Sequence, residues 1–118
     1  MMNKTAFTKA LYKSVDSRDS EQLSAFITED VHFCIGNYPP VIGQEAVLAA
    51  NQAFFASIQG MQHRLDNIWE CGDSIICNGN VDYVRLDGSE YSVGFATVLK
   101  MQGDKISDYL VYVDISEL

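Results

Sequence analysis

Residues 61–113 read MQHRLDNIWECGDSIICNGNVDYVRLDGSEYSVGFATVLKMQGDKISDYLVYV. The turn pairs Gly72-Asp73, Asp87-Gly88 and Gly103-Asp104 cut this stretch into four runs rich in β-branched and aromatic residues. Consecutive runs joined by such short turns predict an antiparallel meander. Asn78-Gly79 falls inside the second run, as a further hairpin turn or as a bulge. A bulge that bends the strand is preferred, because a turn there would leave two very short strands beside a long one.

Successive strand residues alternate between the two faces of a sheet, so parity sorts the side chains. In Met61–Glu70, His63, Leu65, Asn67 and Trp69 share one face, opposite the polar set Gln62, Arg64, Asp66 and Glu70. A face that mixes large apolar walls with a few polar groups is how small-molecule pockets are built. In the next strand Asn80, Asp82 and Val84 oppose Val81, Tyr83 and Arg85, and neither set is uniformly polar. In the last strand, Ile106–Ile115, Tyr109, Val111 and Val113 oppose Leu110 and Tyr112. Val81, Tyr83 and Leu110, assigned to the outer face, leave apolar surface that one layer of helices cannot cover, which predicts a homodimer through the open sheet face.

Upstream of the meander the periodicity is helical. Phe7, Ala10, Leu11 and Val15 form an apolar stripe over Lys4–Val15, with Tyr12 beside it. Asp16-Ser17-Arg18-Asp19 breaks that helix, and Asp19 caps a second one that buries Leu23, Phe26 and Ile27. Val31–Ile35 predicts a first strand, ended by Gly36-Asn37 and Pro39-Pro40. A third helix is expected from Gly43 through Ile58, with Ala46, Val47, Ala50, Phe54 and Ile58 on its buried face and Gly60 as its stop. The expectation is one α+β domain over residues 1–118: three helices packed on a strongly curved, mainly antiparallel sheet that forms a cone-shaped pocket.

Composition narrows the function classes. A chain of 13.1 kDa with 47% hydrophobic and 20% charged residues is an ordinary globular composition with material for one core. Sixteen acidic against eight basic residues give a net charge of -8 with no basic face, which argues against nucleic acid and anionic membranes as partners. The N-terminal residues Met1–Ala10 lack a signal-peptide pattern and no apolar run is long enough to span a bilayer, so a cytoplasmic location is expected.

The candidates for chemistry are few. Asp82, if it lies under the helices, would be desolvated and poised as a general base or acid; otherwise it is a rim carboxylate. His63 is the second candidate, either a hydrogen-bonded core residue or a proton-transfer group, and His32 is a third. A Cys34 nucleophile served by His32 is disfavoured, because residues two apart on a strand rarely present their tips to each other. Cys34, Cys71 and Cys77 read as small buried hydrophobes. Two histidines without ligand spacing predict no metal site, and the absence of phosphate-cradling glycine motifs predicts no nucleotide cofactor.

The element order and several short motifs resemble the SnoaL-like branch of the nuclear transport factor 2-like superfamily over essentially the whole chain. The carrying segments are Phe26-Ile27-Thr28-Glu29-Asp30-Val31, Pro39-Pro40-Val41-Ile42-Gly43-Gln44-Glu45-Ala46, Asp87-Gly88, Gly103-Asp104-Lys105-Ile106 and Tyr112-Val113-Asp114. The resemblance implies a pocket between curved sheet and helices, commonly in dimers, in members that include ketosteroid isomerases, polyketide cyclases, limonene epoxide hydrolases and proteins that only bind. Ile35 stands about where the isomerases carry a catalytic Asp, and Asn80-Val81-Asp82 stands where the epoxide hydrolases carry Arg-x-Asp, with Val111 at their second Asp. Tyr12 falls near the isomerases' oxyanion-stabilising Tyr, and Asp114 matches a structural position near the domain's end.

The function expected is therefore binding of a small, largely apolar molecule, with Tyr12, Phe54, Trp69, Asn80 and Tyr109 as ligand-contacting residues. Catalysis, if present, would be proton transfer of the isomerase, cyclase or hydratase type by Asp82 or His63. The competing expectation is a non-catalytic protein-interaction or dimerisation module.

Overall fold

The computed structural model describes residues 3–118; Met1 and Met2, part of the expected domain and of the N-terminal stretch read for targeting, lie outside the described residues. Three helices, α1 Lys4–Asp16, α2 Ser20–Leu23 and α3 Gln44–Ala56, accompany six strands. The strands are β1 Ile27–Ile35, β2 Val41–Ile42, β3 Ile58–Cys71, β4 Ser74–Arg85, β5 Glu90–Gln102 and β6 Lys105–Val113. They form one curved sheet in the order β2-β1-β6-β5-β4-β3, antiparallel throughout except for the β1–β6 pair. No described helix is long and apolar enough to cross a membrane.

The helices begin where short polar side chains satisfy free backbone donors. Asn3 Oδ1 accepts from the N–H of Ala6 at 2.9 Å, and Asp19 Oδ1 accepts from Glu21 at 3.0 Å. α1 buries Thr8, Leu11, Tyr12 and Val15, leaving Ala10 outside the stripe expected for it. α2 is a single turn that tightens over Ser24–Phe26, and Ile27 opens β1 as a buried strand residue instead of closing a helix. β1 is accordingly four residues longer at its start than the Val31–Ile35 run expected.

α3 also departs from expectation. It ends at Ala56, Ile58 already opens β3, and Gly60 lies within that strand instead of stopping the helix. Its buried line is Val47, Asn51 and Phe55, spaced by four, while Ala46 is exposed and Ala50 and Phe54 flank the line half-buried. Asn51 supported no apolar stripe in the sequence, so the face was set one residue away. Its side-chain amide donates to the Val47 carbonyl at 2.9 Å, which lets a polar residue occupy a buried helical position.

The meander is continuous, but the bulge expected at Asn78-Gly79 on β4 lies instead opposite that pair, on β3. Leu65 pairs with Gly79 and Asn67 with Asn78, which leaves Asp66 unpaired as a β3 bulge. Gly79 makes the close approach of the two strands possible, because a Cβ there would lie 2.9 Å from the carbonyl carbon of Arg64 and overlap its oxygen. The bulge reverses the parity of everything after it. Ile68 now shares the inner face with His63 and Leu65, while Asn67 and Trp69 turn outward, and Trp69 is 49% exposed.

On β4 the inner residues are Ile75, Cys77, Val81 and Tyr83, all buried. Val81 and Tyr83 therefore belong to the core and not to the outer face, correcting the assignment made from sequence. Leu110 does lie outward, in a row of paired residues that runs across the sheet as Trp69, Ile76, Val98, Leu110 and Cys34. The core itself gathers Leu11, Leu23, Ile27, Val31, Val47, Ile75, Val81, Leu99 and Ile106, each at 1% exposure or less.

The close approach at the bulge yields a test. Gly79→Ala forces a side chain against the Arg64 carbonyl and is expected to lower unfolding stability by about 1–3 kcal/mol. Gly94→Ala, whose nearest neighbouring atom would be 3.8 Å away, serves as the control. Equal stability of the two variants in urea unfolding would contradict the bulge geometry.

Candidate functional site

α1 crosses the inner face near β3, and the last residue of that helix makes the site's most specific contact. Asp16 Oδ2 accepts from the backbone N–H of His63 at 2.9 Å, and Asp16 Oδ1 lies 2.5 Å from His63 Nδ1. One carboxylate thus holds both the strand and the ring. An ionised carboxylate only accepts, so this contact fixes the proton of a neutral imidazole on Nδ1 and leaves Nε2 as an acceptor. Nε2 makes no hydrogen bond among the described residues.

Local geometry explains why Asp16 is available. Arg18 adopts a left-handed φ of 56° and its N–H donates to the Val15 carbonyl at 2.9 Å, ending the helix just past Asp16. The Arg18 guanidinium donates to the carbonyl of Ile58 at 3.3 Å, tying this corner to the start of β3. A carboxylate at a helix C-terminus faces the negative end of the helix dipole, an unfavourable placement that the two His63 hydrogen bonds offset.

The ring is walled by aromatics. Tyr12, one turn before Asp16, lies 4.6 Å from the His63 ring centroid, and Phe95 meets the ring edge-on at 5.1 Å. The Tyr12 hydroxyl is hydrogen-bonded to Thr97 Oγ1 at 2.5 Å, with the buried Cys77 thiol 4.0 Å away. Burial pushes the Tyr12, Tyr83 and Tyr109 phenols above their ordinary value and the Cys77 thiol likewise, so all four stay protonated near neutral pH.

Two adjacent spaces that share wall residues lie over this floor. A small inner cavity of about 40 Å³ is lined by Tyr12, Asn51, Phe54, His63, Tyr83 and Tyr109 among others. Phe33, Ile35, Asn51 and Phe54 also line a mouth of about 610 Å³, which the Tyr38-Pro39-Pro40 turn, Ile115 and Leu118 complete. That volume is in the range of small-molecule sites. No Lys or Arg lines either space, so the walls favour an uncharged ligand.

Of the residues singled out from sequence, the structure brings together Tyr12, Phe54, His63 and Tyr109. Trp69, Asn80 and Asp82 lie on the opposite, outer face of the sheet. Asp82 is a rim carboxylate with a side chain 43% exposed, accepting from Ser92 Oγ at 2.6 Å and from Arg64 at 3.3 Å. The Ser92 hydrogen bond, with the nearby Arg64 charge, holds its carboxyl below the ordinary value, which is the reverse of what a base working near neutral pH requires. His32 is exposed and Cys34 half-buried on the same outer face, with no hydrogen bond between them. Among the described residues no three His, Cys, Asp or Glu side chains converge as metal ligands do.

Asp16 and Asn51 were missed. Asp16 follows Tyr12 by four residues, on the same helical face, and that spacing was the available signal. Its place in an Asp-Ser-Arg-Asp run made it read only as a helix breaker.

The family model described as a SnoaL-like domain matches residues 8–109. No curated protein matches. Among solved structures, an NTF2-like protein of unknown function from Burkholderia pseudomallei is similar over 99% of this chain and 95% of its own, with TM-score 0.88 and 18% identity. A hypothetical protein with a ketosteroid isomerase-like fold from Catenulispora acidiphila, in complex with trimethylamine, covers 93% of this chain and 86% of its own, with TM-score 0.86 and 15% identity. TerC, co-crystallised with polyporic acid, covers 96% and 92%, with TM-score 0.79 and 18% identity. At such identities the likeness speaks for the fold.

Two outcomes follow from the buried phenols. Tyr12→Phe leaves Thr97 Oγ1 buried without its partner and is expected to cost about 1–3 kcal/mol, with Tyr12→Phe/Thr97→Val recovering part of that loss in urea unfolding. The ordinary tyrosine value is 10.0 and the folded values of Tyr12, Tyr83 and Tyr109 are raised above it. Their contribution to stability is fully present below pH 10 and lost as pH rises through the raised values, so Tyr109→Phe is expected to flatten the alkaline fall in melting temperature.

Proposed function

We propose, from the premise that this chain belongs to the SnoaL-like domain family, that it is an enzyme of proton-transfer type acting on a small, largely apolar molecule held in the cone. The observation that carries the reading is that His63, held by Asp16, lines the inner cavity beneath an apolar mouth. His63 Nε2 is the proton acceptor and donor, and Asp16 is its positioning residue, holding the tautomer and the ring plane. Removal of a proton from a carbon beside a carbonyl leaves negative charge on the carbonyl oxygen. The protonated Tyr12 and Tyr109 phenols are the nearby donors able to stabilise that oxygen. Isomerisation, cyclisation and hydration all draw on this arrangement.

The apolar outer row supports a second element of the proposal, a homodimer through the open sheet face. Trp69 and Tyr112 on that face are 49% and 59% exposed, alongside the half-buried Ile76, Val98 and Leu110. A protein-interaction role for the same face is the competing reading. Three free cysteines suit a reducing compartment and support a cytoplasmic placement.

Thermal unfolding against a panel of uncharged apolar ketones, enols and epoxides tests the pocket. A compound at a hundred times its dissociation constant is expected to add about 2.7 kcal/mol. With a substrate found that way, His63→Ala is expected to lower turnover by roughly 10²–10⁴-fold while the thermal shift persists. Asp16→Asn is expected to lower it less, and Asp82→Asn to leave it unchanged. Undiminished turnover in His63→Ala would refute the catalytic assignment, and no shift across the panel would favour the interaction module. Sedimentation of wild type against Leu110→Glu tests the dimer, which the substitution is expected to split.

A further inference from the structure

His63 has a second approach, on the side away from the mouth. Between α1 and β3 a surface groove of about 520 Å³ is lined by Lys9, Tyr12, Lys13 and Asp16 from the helix and by Met61, Gln62, His63 and Leu65 from the strand. Tyr12, Met61 and His63 line the inner cavity too, so these three residues form the partition between two spaces that otherwise share no wall. None of the groove's residues lines the mouth.

The dyad is distributed across that partition. Asp16, 21% exposed at its side chain, lines the groove and not the inner cavity, whereas His63, 8% exposed, lines both. The two approaches differ in chemistry as well. The mouth is walled by Phe33, Ile35, Phe54, Val41 and the two prolines, with no Lys or Arg. The groove carries the exposed Lys9 and Lys13, four residues apart on one helical face, so it is wetted and holds positive charge beside Asp16.

We infer that the α1–β3 groove is a second entrance to the dyad, admitting water and small polar solutes to His63 while the organic ligand enters by the mouth. The use made of this entrance rests on the proton-transfer reading above. An apolar ligand seated in the mouth covers that approach, so a proton taken by His63 is returned to solvent, or water is supplied for a hydration, from the groove side. The two lysines draw small buffer anions to that edge, where they exchange protons with the pair.

Accessibility of His63 can be read without any substrate, so this inference stands or falls apart from the pocket reading. Diethyl pyrocarbonate modifies an unprotonated imidazole nitrogen, and peptide mass spectrometry separates His63 from the exposed His32, which serves as the internal reference. Ser57→Trp and Ala50→Trp plug the mouth; Lys9→Trp and Lys13→Trp, at exposed helix positions, plug the groove. His63 is expected to keep reacting in both mouth-plugged proteins and to slow severalfold in both groove-plugged ones, with His32 unchanged. The inference is overturned if His63 falls silent when the mouth is plugged, or if neither groove substitution slows it.

Discussion

The hydrogen bonds that Asp16 accepts from the backbone and ring of His63 join the end of the first helix to the longest strand, and the rest of the site is arranged around them. They place α1 close enough to β3 for the Tyr12 ring to pack, tilted, against the imidazole and for its hydroxyl to reach Thr97 on β5. They also fix which nitrogen of His63 is left as an acceptor. A carboxylate at a helix C-terminus is electrostatically unfavourable unless it has such partners, so the contact binds stability and chemistry together.

The sheet supplies the second constraint. The close strand approach at the Asp66 bulge depends on the absence of a side chain at Gly79, and the bulge sets which β3 residues lie on the inner face. His63, Leu65, Ile68, Val81, Tyr83 and Phe95 then share the inner face, His63 and Tyr83 lining the cavity, while α3 packs through Val47, Asn51 and Phe55. The resulting space is mostly apolar, with a few polar groups, Asn51 and Ser57 at the mouth and His63 and the phenols within. That distribution of polar groups orients a ligand and leaves its body to the hydrophobic effect.

Much of this was legible in the sequence for a physical reason. The hairpin turns, the helical stripe of α1 and the alternation of β6 are local patterns, and local patterns determined the fold class, the meander and the inward placement of His63 and Tyr109; Tyr12, read as lying beside the α1 stripe, was tied to the pocket by the family resemblance. What failed depended on information that periodicity lacks. A single unpaired residue at Asp66 moved Trp69 and Asn67 to the outer face, and nothing in the surrounding residues marks which of two adjacent strands carries the bulge. Asp82 sits between inward residues Val81 and Tyr83, so its outward placement required knowing which face the helices cover. Asp16 acquires its role from a residue 47 positions away, and its local context speaks only of a helix ending. Asn51 was hidden by the usual exclusion of polar residues from a buried stripe, which its bond to the Val47 carbonyl makes permissible.

The central claim is that Asp16 holds His63 with its proton on Nδ1 and its Nε2 free as an acceptor. Nitrogen-15 NMR of the His63 ring, recorded at a pH where the imidazole is neutral, reads this directly, because the protonated and bare nitrogens differ widely in shift and coupling. The account predicts the Nδ1–H tautomer in the wild type and its loss from dominance in Asp16→Ala. An Nε2–H tautomer in the wild type, or a ring unaffected by removing Asp16, would contradict it.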